Sequence, residues 1–151
     1  MTDVHTKKIR SKNMAAIKGK NTKPEIKIAE ALRERKIKFE THVKELPGNP
    51  DFVLKDFGTI IFIHGCFWHE HHCHLFHWPK SRKKFWKEKI HKNLLRDRRN
   101  ERLLKQEGWW VLKIWECALK GKKKMDFERL VDRVENWIRY EECNKSITRK
   151  R

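Results

Sequence analysis

No apolar run in this sequence approaches the length of a membrane-spanning helix, because charged residues make up 38% of the chain and interrupt it throughout. The first segment, Met1 to Lys20, is polar and basic, so the apolar stretch of a secretory signal is missing as well. No internal repeat is visible. Cysteine is scarce: four residues beside a dense group of histidines fit a reduced, metal-binding protein better than a disulfide scaffold. Negative charge is also short. Twenty acidic residues face 38 basic ones, giving a net charge of +18 and a pI near 10.0. The basic residues run along the whole chain, and such a field attracts polyanions, of which nucleic acid is the commonest. Charge alone does not read bases, since phosphate contacts position a protein without carrying sequence information. A length of 151 residues suggests one domain around one core.

What is present is concentrated. Residues 64–77 read His-Gly-Cys-Phe-Trp-His-Glu-His-His-Cys-His-Leu-Phe-His and hold six of the nine histidines and two of the four cysteines. They follow Thr59-Ile-Ile-Phe-Ile63, a run that predicts a buried strand. Cys66, His71 and Cys73 are spaced as zinc ligands within one loop, and a tetrahedral site needs a fourth. Cys117, at the end of the predicted strand Trp109–Glu116, is the stronger candidate and Cys143 the weaker. Spacing does not choose among His71, His72 and His74, and His69 is also within reach. Phe67 and Trp68 lie in the same loop, where large aromatics either pack inward or are presented to a partner.

The patterning predicts an α/β fold. Thr22-Lys-Pro-Glu25 opens a helix to about Lys36, with Glu25, Ile28, Ala29 and Leu32 on one face. Ile37–Val43 reads as a strand, Leu46–Pro50 as a turn and Asp51–Leu54 as a short strand. The tight Asp56-Phe-Gly58 connection then makes the last of these and Thr59–His64 an antiparallel hairpin. A long helix spans about Arg82 to Glu107 and is stopped by Gly108. Asp126 begins a final amphipathic helix, and Ser146–Arg151 reads as a frayed basic tail.

Two carboxylates stand out. Asp97 falls on the apolar stripe of the long helix with Trp86, Ile90, Leu94 and Leu104, and a carboxylate there needs a partner. A salt bridge to an arginine and an orienting bond to a histidine or metal are both open. Asp51 opens one strand of the hairpin while the other ends at Ile63-His64. A carboxylate on one strand and a second ligand on its neighbour can hold Mg²⁺ against a phosphate. His69 is near enough in sequence to act as general acid or base.

Several longer motifs add to this. Arg10-Ser-Lys-Asn-Met14, Leu46-Pro-Gly-x-Pro-Asp51-Phe-Val, Ile61-Phe-x-His-Gly-Cys-Phe-Trp-His69, His71-His-Cys73 and Trp115-Glu-Cys-Ala-Leu119 together resemble the Vsr family. These are the very-short-patch mismatch-repair endonucleases of bacteria, and the match runs from about Asp3 to Trp137. The resemblance implies a restriction-endonuclease-like mixed central sheet flanked by helices, with a structural zinc site. It implies a DNA mismatch endonuclease that nicks one strand 5′ to the thymine of a T·G mismatch left by deamination of 5-methylcytosine. Asp51 and the Ile63 main-chain carbonyl would bind catalytic Mg²⁺, with His69, Asp97 and Glu25 in the catalytic group and His64 beside them. Zn²⁺ falls to Cys66, His71, Cys73 and Cys117. Phe67 and Trp68 would wedge into the DNA stack, with Met14 entering opposite. Glu70 stands where the family commonly has histidine.

The expected organisation is a DNA-clamping arm (1–20), an endonuclease domain (21–140) and a basic tail (141–151). A cytoplasmic bacterial monomer is implied, with mismatched duplex DNA as substrate. Mismatch-repair accessory proteins and a cognate cytosine-5 methyltransferase are its implied partners. A type II restriction endonuclease of the same fold, cutting both strands as a dimer, and a zinc-stapled DNA-binding module without catalysis are the alternatives.

Overall fold

A computed structural model describes residues 22–149. Met14 and the rest of the expected arm lie outside them. Helix α1 (Lys23–Glu34) starts at its predicted cap: the Thr22 hydroxyl accepts from the Glu25 N–H at 3.5 Å, and Pro24 occupies the first turn, where its missing N–H costs nothing. Ile28, Ala29 and Leu32 are buried on one face, and Glu25 is buried with them.

Five strands form one mixed sheet, in spatial order β1 (Glu40–Thr41), β2 (Phe52–Leu54), β3 (Thr59–His64), β4 (Trp110–Trp115) and β5 (Lys145–Ile147). β1, β2 and β3 pair antiparallel, whereas β3–β4 and β4–β5 pair parallel. The predicted hairpin is present, with Phe52 opposite Ile61 and Leu54 opposite Thr59. A 3₁₀ turn over Lys55–Phe57 closes it, and Gly58 supplies the left-handed conformation (φ +66°) that returns the chain. The crossover from β3 to β4 contains helix α2 (Lys83–Gln106), after which Gly108 (φ +92°) turns the chain into β4. Helix α3 (Glu116–Leu119) follows directly. Helix α4 (Phe127–Tyr140) is capped by Asp126, which accepts from the Arg129 N–H at 3.2 Å.

The sheet is buried on both faces, so its central strands read as apolar runs rather than alternations. One face, with Phe52, Leu54, Ile61, Leu112, Ile114 and Ile147, packs on α1 and α4 through Ile28, Leu32, Leu130, Val134 and Trp137. The other, with Val53, Ile60, Phe62 and Val111, packs on Leu104 of α2. Among the described residues no helix is long and apolar enough to cross a membrane.

Two expectations are corrected. The strand expected over Ile37–Val43 contracts to Glu40–Thr41, because His42 takes a left-handed backbone (φ +52°) and turns the chain out of the sheet. Ser146 and Ile147, expected to begin a frayed tail, instead belong to β5, while Lys150 and Arg151 lie outside the described residues. Ile147 is fully buried opposite Ile114, and the Val111 N–H is held by Asn144 Oδ1 at 2.8 Å. The free edge of β4 supplies backbone partners for any neighbouring segment, a pull that composition does not reveal.

Candidate active site and metal centre

The open end of the β2–β3 hairpin sets the first part of the site. Asp51 lies just before β2, and its Oδ2 accepts from the Ile63 N–H at 2.7 Å. Burial is the main influence on this carboxyl. The Ile63 N–H partly offsets it, Glu25 beside it adds to it, and the carboxyl is pushed up to about 7. Glu25 comes from the buried face of α1, and its Oε2 lies 3.3 Å from Nε2 of His42. The ligand-capable atoms of Glu25, His42 and Asp51 all lie within 4.8 Å of one another. Nothing in the sequence singled out His42. An isolated histidine in a predicted strand has no pattern to mark it.

A consequence is measurable. In the folded chain Asp51 titrates near 7, against an ordinary 3.8. The folded state therefore holds this proton more tightly than the unfolded one. The resulting stability is full below about pH 4 and is lost as pH rises through 7. Asp51→Asn cannot ionise. Without added divalent cation it is expected to be more stable than the parent at pH 8, by at most about 4 kcal/mol, and indistinguishable from it near pH 4. Urea denaturation at the two pH values checks this. Equal stability at pH 8 would mean that the carboxyl ionises without penalty.

β3 ends in His64, which is buried with its Nδ1 unpartnered. Burial, together with His69 and Lys113, holds this imidazole well below its ordinary value. The His69 ring stacks on it at 3.8 Å with planes 7° apart. His69 Nδ1 pairs with Asp97 Oδ2 from α2, so the carboxylate on the apolar stripe has a histidine partner, not an arginine. With Nδ1–H directed at Asp97, the acceptor lone pair of the neutral ring lies on Nε2. Asp51, Ile63, His64, His69, Asp97 and Glu25 all line one open cleft of about 1340 Å³, together with Lys23, Lys89, Lys113 and Lys120.

The loop after β3 carries the second part. Gly65 permits a close approach, since a Cβ there would stand 3.3 Å from the Trp68 ring. Cys66 N–H donates to Glu116 Oε1 at 3.2 Å, and Asn93 of α2 donates to the Trp68 carbonyl at 3.2 Å. Cys66, His71, Cys73 and Cys117 converge with all their ligand-capable atoms within 4.8 Å, and His71 Nδ1 stands 3.7 Å from Cys117 Sγ. Edges of a tetrahedral site with Zn–S and Zn–N bonds of the usual length are roughly 3.3–3.8 Å. All four cysteines are free thiols, and burial pushes Cys66 well above its ordinary value. The cluster thus selects His71 over His72, which is exposed, and over His74 and His69. It also selects Cys117 over Cys143, which packs against the main core while its carbonyl accepts from the Trp137 indole at 2.7 Å. Glu70 pairs with His72 at 3.5 Å.

Phe67 and Trp68 are half-buried and meet edge to face at 5.2 Å. Both rest on Trp86 of α2, at 5.7 and 6.0 Å. The sequence pattern assigned Trp86 only to the buried stripe of the helix. It is half-buried and supports the aromatic pair.

Residues 2–75 match the family model described as DNA mismatch endonuclease Vsr. The chain is 49% identical over 138 residues to the DNA mismatch endonuclease Vsr of Escherichia coli K12, covering 91% of this chain and 88% of that protein. It is also 44% identical to a type II nicking enzyme of Neisseria meningitidis serogroup A (81% and 87% covered). A type II nicking enzyme of Xanthomonas oryzae pv. oryzae is 41% identical (79% and 88% covered).

Proposed function

The chain belongs to the Vsr family of DNA mismatch endonucleases, and from that premise we propose that it nicks one strand of duplex DNA 5′ to the thymine of a T·G mismatch, with Asp51, His69 and Asp97 at the reacting phosphate. The observation that carries this reading is the meeting of Asp51 and the His69–Asp97 pair in one cleft lined by lysines. Asp51 and the Ile63 carbonyl would hold Mg²⁺. The donor set fits a hard cation: burial, with the Glu25 carboxyl beside it, disfavours the ionised form of Asp51, and a cation held there would offset this. Bound there, Mg²⁺ supplies charge stabilisation at the phosphate and leaving oxygen.

The chain's own residues handle the proton. His69 Nε2 takes it from the attacking water as the water oxygen bonds to phosphorus. Asp97 holds the Nδ1–H, fixes the ring's tautomer and stabilises the imidazolium that forms. The stacked, neutral His64 ring limits rotation of His69. The P–O3′ bond breaks in line, the 3′ oxygen takes a proton from solvent, and the products carry a 5′-phosphate and a 3′-hydroxyl. The Cys66, His71, Cys73 and Cys117 set would hold Zn²⁺. Four protein ligands leave no open position, so its part is to lock the loop that carries Phe67, Trp68 and His69.

The same loop offers the wedge for mismatch discrimination. A T·G wobble pair stacks poorly, and opening the adjacent step there costs less than in paired DNA, on the order of 1–3 kcal/mol. Phe67 and Trp68 fill the opened step, and the basic surface supplies affinity that weakens steeply with salt. The test is nicking of T·G and T·A duplexes in varied flanking sequence with Mg²⁺. The parent is expected to nick only the mismatched duplex. Trp68→Ala is expected to erode the T·G preference by about tenfold or more while leaving non-specific binding nearly unchanged. Equal loss on both duplexes would make Trp68 a packing residue and place mismatch recognition elsewhere.

A further inference from the structure

Between Phe39, which packs against the core of one sheet face, and Val43, which packs against the core of the other, the chain must turn. It does so at His42, whose φ of +52° ends β1. A non-glycine residue there carries strain of order 1 kcal/mol, tolerated by His better than by most residues. Glycine or asparagine would make the same turn at lower cost, so the turn accounts for the backbone but not for an imidazole. The imidazole has a distinct contact: its Nε2 lies 3.3 Å from Glu25 Oε2, and the two side chains are only 15% and 10% exposed. Glu25 in turn stands beside Asp51, with the ligand-capable atoms of all three side chains within 4.8 Å of one another. The three side chains form a relay from the β1 turn, through α1, to the mouth of the β2–β3 hairpin.

We propose that His42 is a positioning residue for the divalent-cation site: it donates its Nε2–H to Glu25, stops that carboxylate from rotating, and holds it toward Asp51. The proposal rests on reading Asp51 as the cation's ligand. A carboxylate with one oxygen tied in this way presents the other in a fixed direction, either to the cation or to water around it. Partners that orient a ligand set in this manner typically govern metal affinity by 10–100-fold. Glu25, His42 and Asp51 form a group separate from His64, His69 and Asp97, so the relay acts on cation binding and leaves the proton acceptor untouched.

The test is Mn²⁺ binding to zinc-loaded, DNA-free protein, read from the loss of the free-ion paramagnetic resonance signal. The variants are His42→Leu, which has no donor, and His42→Gln, whose side-chain amide can donate to Glu25. Both retain a non-glycine residue in the left-handed turn and are of similar size, so their melting temperatures should agree. His42→Leu is expected to weaken Mn²⁺ binding about tenfold, and His42→Gln to stay within about threefold of the parent. Unchanged affinity in His42→Leu, or equal weakening in both variants, overturns the proposal; the latter would mark a structural role or direct ligation by the ring. Asp51→Ala keeps the two readings apart. If it binds Mn²⁺ like the parent, the cation is not held at Asp51, and both readings fall. If it loses binding while His42→Leu does not, only the role of His42 is removed.

Discussion

His69→Ala is expected to bind T·G-mismatched DNA like the parent and to nick it about 10²- to 10⁴-fold more slowly, the range contributed by a positioned general base. The ring is tied to the rest of the site by the Asp97 bond at Nδ1, the stack on His64 and an edge contact with Trp115. None of these is a contact to the basic surface, so affinity should survive its removal. Asp97→Asn sharpens the test. An amide can donate to Nδ1 and so favour the tautomer with the proton on Nε2, which removes the acceptor from the side of the cleft. It should therefore slow single-turnover nicking severely with little change in binding. Near-parent nicking by His69→Ala would take His69 out of the proton transfer and make His64 the next candidate.

Cys117→Ser is expected to lower zinc content and stability together, the second by about 4 kcal/mol or more, because losing a structural metal is one of the few single changes with so large an effect. Cys66 and Cys117 are fully buried and pack with Trp115, while His71 stacks on the same indole at 4.2 Å. Without the cation, this buried polar set has little to hold it, and the loop from Gly65 to Phe76 loses its anchor. The loss should extend to activity, since the loop carries His69. Metal content by mass spectrometry and thermal melting read the two effects. Stoichiometric zinc in Cys117→Ser would transfer the fourth position to Cys143 or a histidine.

Residues close in sequence were readable as groups. The hairpin followed from a short connection between two apolar runs, and turn chemistry at Gly58 enforces it locally. The Cys66–Cys73 segment announced a metal site because its ligand types lie within one loop. Asp97 announced itself as an anomaly, since helical periodicity alone puts a carboxylate on an apolar face and burial then demands a partner.

What periodicity could not supply was the identity of partners across the fold. Asp97 could have met an arginine, and only the packing of α2 against the loop after β3 gives it His69. Spacing left three or four histidines for the metal, and the fold brings His71 alone of them to Cys117. His42 and Glu25 lie on different elements with nothing in either segment to pair them. Ile147 lies in a basic stretch whose composition argues against a strand, and it is ordered by the open edge of β4. The sequence by itself determined the elements, the hairpin and the kinds of ligand present, because backbone geometry and side-chain periodicity act over a few residues. Only the tertiary structure decided which donors meet, because those contacts arise where separate elements pack, and local pattern does not encode that distance.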